Sequence, residues 1–224
     1  MSSVRWHEVS DVDALQRAAS SRILDAAARA IQQRGCFRIV LAGCETPRGV
    51  YATLRTANAA WTDWQIHFGD ERCLPRAAAE RNSRMAGPAW LDHVPVPAAQ
   101  VHAIPAELGA ERAAAAYAAE LQGVGDFDLV LLGLGEDGHT ASLFPGHDWG
   151  DTPGSPDVLA VLDAPKPPPQ RVTLSAARLS RAREVLFLVA GESKRAAVAR
   201  WRAGEPIPAR SIRPAAGVDV LLTT

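Results

Sequence analysis

One histidine in this sequence has the surroundings of a proton-transfer group. Residues 129–132 form a short apolar run, followed by a glycine-rich turn, Asp137 and then His139. Such a run predicts a buried parallel strand, and ligands in open α/β sheets bind beyond the carboxyl ends of these strands. A lone histidine often bonds only a loop carbonyl, but imidazole at this edge can exchange a proton near neutral pH. We therefore expect an enzyme site containing His139 and Asp137.

The glycines of this turn formally match the G-x-G-x-x-G pattern of dinucleotide sites. In those sites the glycines open a long helix that packs against the sheet. Here a helix could begin only at His139 or Thr140. It would meet Pro145 within about two turns. We therefore discount nucleotide binding and expect the glycines to let the backbone approach a small substrate closely.

A second junction between a strand and a helix could hold an anion. Residues 37–42 predict a strand that leads into Gly43, and Thr46-Pro47 predicts the N-cap and first residue of a helix. Free N–H groups and the helix dipole at such a junction attract negative charge. An ordinary capped turn would have the same residues, so both interpretations stay open from the residues alone.

Other charged side chains are expected at the same edge of the sheet. Asp70, Glu71 and Arg72 directly follow a short strand, so at least one of them should contact substrate. Arg171 and Lys194 are further candidate cations, since arginine suits bidentate phosphate contacts and lysine acts as a point charge. Isolated charges are usually solvated, which makes each candidate weak by itself.

The elements that must position these residues alternate between strand and helix. The predicted helices are 11–33, 47–58, 83–90, 108–121 and 192–201, and the predicted strands are 37–42, 64–68, 128–132, 158–162, 172–174, 185–189 and 218–222. This alternation predicts a single α/β domain over residues 1–224, with a mostly parallel open sheet and helices on both faces. The irregular stretch 144–156 is expected to be an active-site rim.

Composition narrows the class of protein. The 224 residues are 47% hydrophobic and 22% charged with a net charge of −1, which is typical of a soluble globular protein and suggests neither a nucleic-acid nor a membrane partner. No apolar run approaches the roughly 20 residues of a membrane span. Residues 1–10 lack the apolar core of a secretory signal.

Cysteine usage indicates a reducing compartment. The three cysteines, Cys36, Cys44 and Cys73, are an odd and sparse set without metal-site spacing. We therefore expect a cytoplasmic enzyme without a disulfide framework or a bound metal.

These motifs, in this order, resemble those of the 6-phosphogluconolactonases of the pentose phosphate pathway, which form a broader group with the glucosamine-6-phosphate deaminases. The resemblance extends from near residue 40 to near residue 200. The matching stretches are LAGCETP (41–47), GDERCLP (69–75) with Asn82, LLGLGEDGHTASLFPG (131–146), PKPPPQRVTL (165–174) and VAGESK (189–194). The histidine stretch and the proline-rich stretch are together the most specific.

The resemblance implies an α/β fold of the deaminase and ribose-5-phosphate isomerase type, with no cofactor and no metal. It implies hydrolysis of 6-phospho-D-glucono-1,5-lactone by a water molecule that His139 activates, in a protein expected to be monomeric. It also implies that Arg72 and Asp70 line the sugar pocket. The residues implied to hold the substrate phosphate are Gly43, Thr46, Arg171 and Lys194. Loop N–H groups and Arg72 both remain candidates for stabilising the oxyanion.

Two rival functions share this expected fold. A phosphosugar deaminase or isomerase would carry an asparagine-glutamate-proline sequence shortly after the histidine, whereas this chain has Ser142-Leu-Phe-Pro. A non-catalytic sugar-phosphate sensor would tolerate loss of the histidine, and its presence argues against that alternative.

The chain departs from the family pattern at two places. The anion loop of the family usually reads Gly-Gly-Ser-Thr-Pro, but this chain has Cys44 and Glu45 within it. A glutamate facing a bound phosphate would repel it, so we expect Glu45 to point to solvent and Cys44 to be a small packing residue. Arg81 stands where a serine is usual, just before Asn82.

Overall fold

The computed structural model describes residues 3–152 and 154–224, so Met1, Ser2 and Pro153 lie outside its description. The expectations for residues 1–10 and for the rim at 144–156 therefore fall partly outside the described residues. In the described part, the strands are β1 Val4–Glu8, β2 Phe37–Leu41, β3 Trp64–Phe68, β4 Asp70–Arg72, β5 Val101–His102, β6 Phe127–Gly133, β7 Val158–Val161, β8 Arg171–Leu174, β9 Ala182–Ala190 and β10 Val218–Thr223. The helices are α1 Val12–Arg34, α2 Glu45–Leu54, α3 Asn82–Ala89, α4 Ala110–Glu120, α5 Ala176–Ser180 and α6 Arg195–Arg202.

A parallel sheet of seven strands, in the order β1-β10-β9-β6-β2-β3-β5, forms the centre of the molecule. Strand β6 lies in the middle and is buried along almost its whole length, which explains its continuous apolar run. Helix α1 packs on β2, β6 and β10 through a buried stripe that includes Leu15, Ala19 and Ile23. The predicted α/β fold with a mostly parallel sheet is confirmed. None of the described helices is long and apolar enough to cross a membrane.

A second sheet, antiparallel and three-stranded in the order β4-β8-β7, was not predicted. Its two longer strands were expected as strands, but Asp70–Arg72 was expected as a loop because three charged residues carry no apolar signal. The sheet pairs Asp70 with Thr173 and Arg72 with Arg171. It therefore carries charged residues from distant parts of the chain to the end of the central sheet. Helix α4 packs against β7 and β8.

No helix follows the glycine turn at residues 139–146, where Thr140 and Leu143 form an isolated β-bridge. Some local predictions were wrong. Helix α2 begins at Glu45 rather than at Pro47, and its N-cap residue Cys44 makes no side-chain capping bond. The helix therefore begins before Thr46, which cannot be its N-cap. Strand β1 and helix α5 were missed because both are short and lack a clear apolar pattern.

Candidate active site

The carboxyl ends of the central strands meet the three-stranded sheet around a cavity of about 310 Å³. Asp137 does not line this cavity, but it is hydrogen-bonded to His139, which does. The predicted site residues that line the cavity are Gly43, Thr46, Asp70, Arg72, His139, Arg171 and Lys194. The structure therefore brings together residues that are spread over 152 positions of the sequence, from Gly43 to Lys194.

His139 follows β6 and lies directly over the backbone of Gly135. A Cβ atom at Gly135 would be 1.9 Å from His139 Nδ1, so only glycine leaves room for the imidazole ring. The Gly135 N–H donates to the His139 carbonyl at 2.8 Å, which closes the turn. The glycine pattern that resembles a dinucleotide site therefore serves, at this position, to seat the histidine.

Asp137 holds the imidazole in one orientation. Its Oδ1 lies 2.5 Å from His139 Nδ1 and also accepts the His139 backbone N–H at 3.1 Å. Burial raises the pKa of Asp137, but the hydrogen bonds from His139 together outweigh that rise, so the pKa lies below its usual value. An ionised carboxylate can only accept, so Nδ1 carries the proton and Nε2 presents a lone pair. Nε2 has no hydrogen-bond partner among the described residues.

Desolvation controls the basicity of this histidine. Burial lowers the pKa of His139 below its usual 6.5, and the charge of Lys166 lowers it further. The hydrogen bond and charge of Asp137, and more weakly the charge of Asp70, oppose this fall. The imidazole is therefore neutral, and able to accept a proton, at neutral pH.

Asp70 is buried at the edge of the cavity and both of its carboxylate oxygens are hydrogen-bonded. Asn82 Nδ2 donates to Oδ1 at 2.9 Å, and Ser142 Oγ donates to Oδ2 at 2.6 Å. These bonds connect β4 to the start of α3 and to the histidine loop. Neither Asn82 nor Ser142 was predicted as a site residue, although both lie in the stretches that carried the family resemblance.

Glu71, by contrast, points away from the cavity and has a structural role. Its fully buried carboxylate accepts the backbone N–H groups of Asn82 at 2.7 Å and Ser83 at 2.9 Å, which caps helix α3. Buried Arg81 lies 3.5 Å from this carboxylate and donates to Glu107 at 2.8 Å. The arginine that replaces the usual serine therefore supports the element that carries Asn82.

The anion loop has a close backbone contact and one unusual residue. A Cβ atom at Gly43 would lie 2.1 Å from Asn82 Oδ1, so a side chain there would collide. Cys44 lines the cavity but is exposed, with φ 79° and ψ 172°, so the prediction that it is a packing residue was wrong. Glu45 is confirmed to point to solvent, since its side chain is 86% exposed and pairs with Arg48 at 3.1 Å.

The cavity cations differ in how far they are already engaged. Arg171 donates from Nη2 to the carbonyl of Lys166 at 2.9 Å and from Nε to that of Pro168 at 3.1 Å. Arg72 donates from Nη1 to the Glu80 carbonyl at 2.5 Å, while its buried Nε has no protein partner. Lys194 Nζ is 3.9 Å from a carboxylate oxygen of Glu136, too far for a hydrogen bond. Burial lowers the pKa of Arg171, which nevertheless stays charged at neutral pH.

Sequence reasoning missed one cation of the cavity. Lys166, within the proline-rich segment, lines the cavity together with His139. A signal for it existed in the composition, because lysine is very rare in this chain.

Elsewhere, the described residues offer no comparable chemistry. No group of three or more His, Cys, Asp or Glu side chains among them is arranged to hold a metal ion. A cleft of about 370 Å³ lies beside β1 and α6 and is lined by residues such as Trp6, Trp201 and Arg210. None of its lining residues is a histidine, carboxylate or cysteine, so it contains no general base.

Comparison with known proteins agrees with this geometry. A family model described as glucosamine-6-phosphate isomerases/6-phosphogluconolactonase matches residues 10–221. A 6-phosphogluconolactonase of Streptomyces coelicolor is 39% identical over 212 residues, covering 87% of this chain and 81% of the relative. The crystal structure of 6-phosphogluconolactonase from Thermotoga maritima has a TM-score of 0.90 at 25% identity, over 98% of this chain and 99% of that one. A monomeric glucosamine-6-phosphate deaminase, with a TM-score of 0.83 at 20% identity over 97% and 96% of the chains, shares the fold.

Proposed function

The chain belongs to the glucosamine-6-phosphate isomerase/6-phosphogluconolactonase family, and we propose that it hydrolyses 6-phospho-D-glucono-1,5-lactone to 6-phospho-D-gluconate. The observation that carries this proposal is the unpartnered Nε2 of His139, which Asp137 orients beside a cavity lined by cations. The names of the S. coelicolor and T. maritima relatives support the same substrate. Residues 1–224 act as one catalytic domain on this account.

His139 is the general base in this proposal. Its Nε2 takes a proton from water as the water oxygen bonds to the lactone C1, and the carbonyl becomes a tetrahedral oxyanion. When the oxyanion collapses, the bond from C1 to the ring oxygen breaks, and the imidazolium returns the proton to that oxygen. The products are a sugar hydroxyl and a carboxylic acid, which ionises at neutral pH. No step requires a serine nucleophile, a cofactor or a metal.

The substrate phosphate is proposed to bind at the anion loop. The N-terminus of α2 directs free backbone N–H groups toward the loop, and Gly43 permits close approach. Lys194, at the start of α6, and the free Nη1 of Arg171 line the same cavity and supply positive charge. Asp70 and Arg72 line the sugar pocket between the loop and His139.

The ring-opening glutamate of a deaminase has no counterpart next to this histidine. Ser142 donates to Asp70, and the following Leu143 and Phe144 are buried. The Phe144 ring packs against the imidazole with the ring centroids 4.9 Å apart, and residues 142–144 supply no second acid. The lactonase is therefore favoured over the phosphosugar deaminase or isomerase.

The purified protein tests the proposal directly. Acid release from freshly prepared lactone should exceed the spontaneous rate, and a chelator should leave that excess unchanged. Ammonia release from glucosamine 6-phosphate is the matched assay for the rival activity. No excess acid release would overturn the proposal, and ammonia release would favour the deaminase. Binding of the lactone without turnover would favour the sensor.

We also propose that the protein works as a monomer in the cytoplasm on a free sugar phosphate. All three cysteines are free thiols, which fits a reducing compartment. Light scattering of the purified protein tests the monomer, and a mass near twice 23.9 kDa would contradict it.

A further inference from the structure

The chain contains very few lysines, and they are found in the active-site cavity. Of its 24 basic residues, two are lysines, Lys166 and Lys194, and the remaining 22 are arginines. Both lysines line the same cavity. Arginine supplies every other basic side chain apart from histidine, so a compact ammonium group is present only at these two positions of the cavity. Arginine and lysine differ in shape, hydration and hydrogen-bond geometry, so the two lysines can make contacts that an arginine would not.

The two lysines have different neighbours in the cavity. Lys194 Nζ lies 3.9 Å from a carboxylate oxygen of Glu136, and it lines the cavity together with the anion-loop residues Gly43 and Thr46. Lys166 lines the same cavity with His139, and its charge adds to the lowering of the pKa of His139 by burial. Lys166 is therefore the lysine whose charge acts on the catalytic base.

The segment that carries Lys166 is hydrogen-bonded to a buried arginine. Arg171 donates to the carbonyl of Lys166 at 2.9 Å, of Pro167 at 3.2 Å and of Pro168 at 3.1 Å. The Ala164 N–H donates to the Pro169 carbonyl at 2.9 Å and closes the same loop. Three consecutive proline residues further restrict its backbone. These contacts fix the backbone at Lys166, whose exposed side chain lines the cavity.

We propose that Lys166 contacts the carbonyl oxygen of the lactone and stabilises the oxyanion, and that Arg171 is the residue that positions it. This inference rests on the proposed lactone hydrolysis. As the water oxygen bonds to C1, the electron pair of the C=O bond moves to the carbonyl oxygen, whose negative charge then pairs with the ammonium of Lys166. The lysine transfers no proton. When the oxyanion collapses, the ring oxygen leaves with the proton held by His139, and the new carboxylate remains beside Lys166.

The two cavity arginines are already engaged. Arg72 has Nη1 bonded to the Glu80 carbonyl, and Arg171 has Nε and Nη2 bonded to the loop. An ammonium on a flexible stem can follow an oxygen that moves out of plane, whereas the guanidinium of Arg171 is fixed at two nitrogens and that of Arg72 at one. The stabilising donor must fit the position of the oxyanion rather than that of the ground-state carbonyl.

Kinetics on two substrates test the assignment. Lys166→Met should lower kcat about 10²- to 10³-fold, the usual loss when one oxyanion donor is removed. The loss should be equal for the phosphorylated lactone and for the unphosphorylated glucono-1,5-lactone, and Lys166→Arg should restore little of it. Lys194→Met is the matched control and should raise KM for the phosphorylated lactone alone.

The pH dependence of the rate distinguishes the proposed role of Lys166 from a purely structural one. The charged groups that act on His139 are Asp137, Asp70 and Lys166. Removing the positive charge of Lys166 should therefore raise the pKa of His139 and move the acid limb of the profile to higher pH. A Lys166→Met enzyme within threefold of the parent, or one impaired only in KM for the phosphorylated lactone, would overturn the proposal.

A binding experiment on the unmutated chain keeps the proposal testable if a variant fails to fold. Reductive methylation with ¹³C-formaldehyde keeps the charge of both lysines and gives each an NMR signal, and a Lys194→Arg variant alone is enough to assign the two. Inorganic phosphate should shift the Lys194 signal alone, whereas 6-phosphogluconate should shift both. The assignment would be overturned if inorganic phosphate shifted the Lys166 signal, or if neither inorganic phosphate nor 6-phosphogluconate shifted it. If the parent enzyme has no lactonase activity, the proposed function fails instead.

Discussion

His139 Nδ1 lies 2.5 Å from Asp137 Oδ1, and the two residues are separated in sequence only by Gly138. This short-range pair fixes which ring nitrogen carries the proton before any substrate arrives. The carboxylate that orients the free Nε2 lone pair therefore belongs to the same turn as the base.

Asp137→Asn should slow catalysis and shift its pH dependence. An asparagine can donate to Nδ1 and stabilise the wrong tautomer, so we expect kcat to fall by as much as about 10⁴-fold, as when asparagine replaces the carboxylate that orients a catalytic histidine. The base works when neutral, so the parent's rate falls as the pH drops through the pKa of His139, which lies below 6.5. Asp137 raises that pKa, so its loss should move the acid limb to still lower pH.

A pH–rate profile of both proteins measures this shift. Asp25→Asn, at an exposed position of α1, is the control and should match the parent. An acid limb that moves to higher pH in Asp137→Asn would show that the carboxylate does not act on the histidine as described.

Lys194→Ala should weaken binding of the phosphorylated lactone and leave catalysis on the unphosphorylated lactone unchanged. A charge-assisted contact is worth roughly 1.5–3 kcal/mol, or about 10- to 150-fold in binding. Since the Lys194 side chain is 24% exposed, the lower half of that range is expected in KM. The neighbouring Arg195→Ala, whose side chain is exposed and paired with Glu192, should have no effect. Equal losses on both lactones would remove Lys194 from the phosphate site.

Glu45→Ser should change KM less than about threefold, because the exposed carboxylate is paired with Arg48 and does not face the cavity. The free energy of unfolding should fall slightly, by about 0.3–1 kcal/mol, because an acidic residue leaves the first turn of α2. Urea denaturation and steady-state kinetics measure the two effects. A large drop in KM would mean that Glu45 repels the bound phosphate.

Cys44→Gly should stabilise the protein and preserve activity. A non-glycine residue at φ 79° and ψ 172° carries strain of about 1–3 kcal/mol. The greater freedom of glycine in the unfolded chain offsets about 0.5–1 kcal/mol of the gain. Cys44→Ala is the matched control and should leave the melting temperature near that of the parent because it retains the strain. A lower melting temperature for Cys44→Gly would show that the cysteine side chain stabilises the loop.

The central sheet and the cavity residues were predictable because their signals are local. The buried run of β6, the glycines after it and His139 lie within about a dozen consecutive positions, and the position of the strand end follows from the parallel fold. The unusual cysteine at position 44 was also visible in the sequence. The backbone strain at Cys44 was not, because the positive φ of that position is a property of the folded loop.

The three-stranded sheet and its consequences depend on long-range pairing. Residues 70–72 have no apolar pattern that would predict a strand. Only the folded chain places Arg72 opposite Arg171. The same applies to Glu71, which looks like a candidate site residue in sequence but caps α3 in the structure. Lys166 was overlooked because a lysine among prolines resembles an ordinary surface residue until its cavity is known.

The most direct test of the account is the rate of lactone hydrolysis by His139→Gln relative to the parent, with affinity for 6-phosphogluconate measured on the same preparations by calorimetry. Glutamine keeps hydrogen-bonding capacity but cannot accept the proton, so kcat should fall about 10²- to 10⁴-fold, the contribution of a positioned general base. Product affinity should stay within a few-fold, and His93→Gln, at an exposed histidine outside the cavity, should behave like the parent. A His139→Gln enzyme with a kcat within a few-fold of the parent would contradict the account, because another group would then have to be the base.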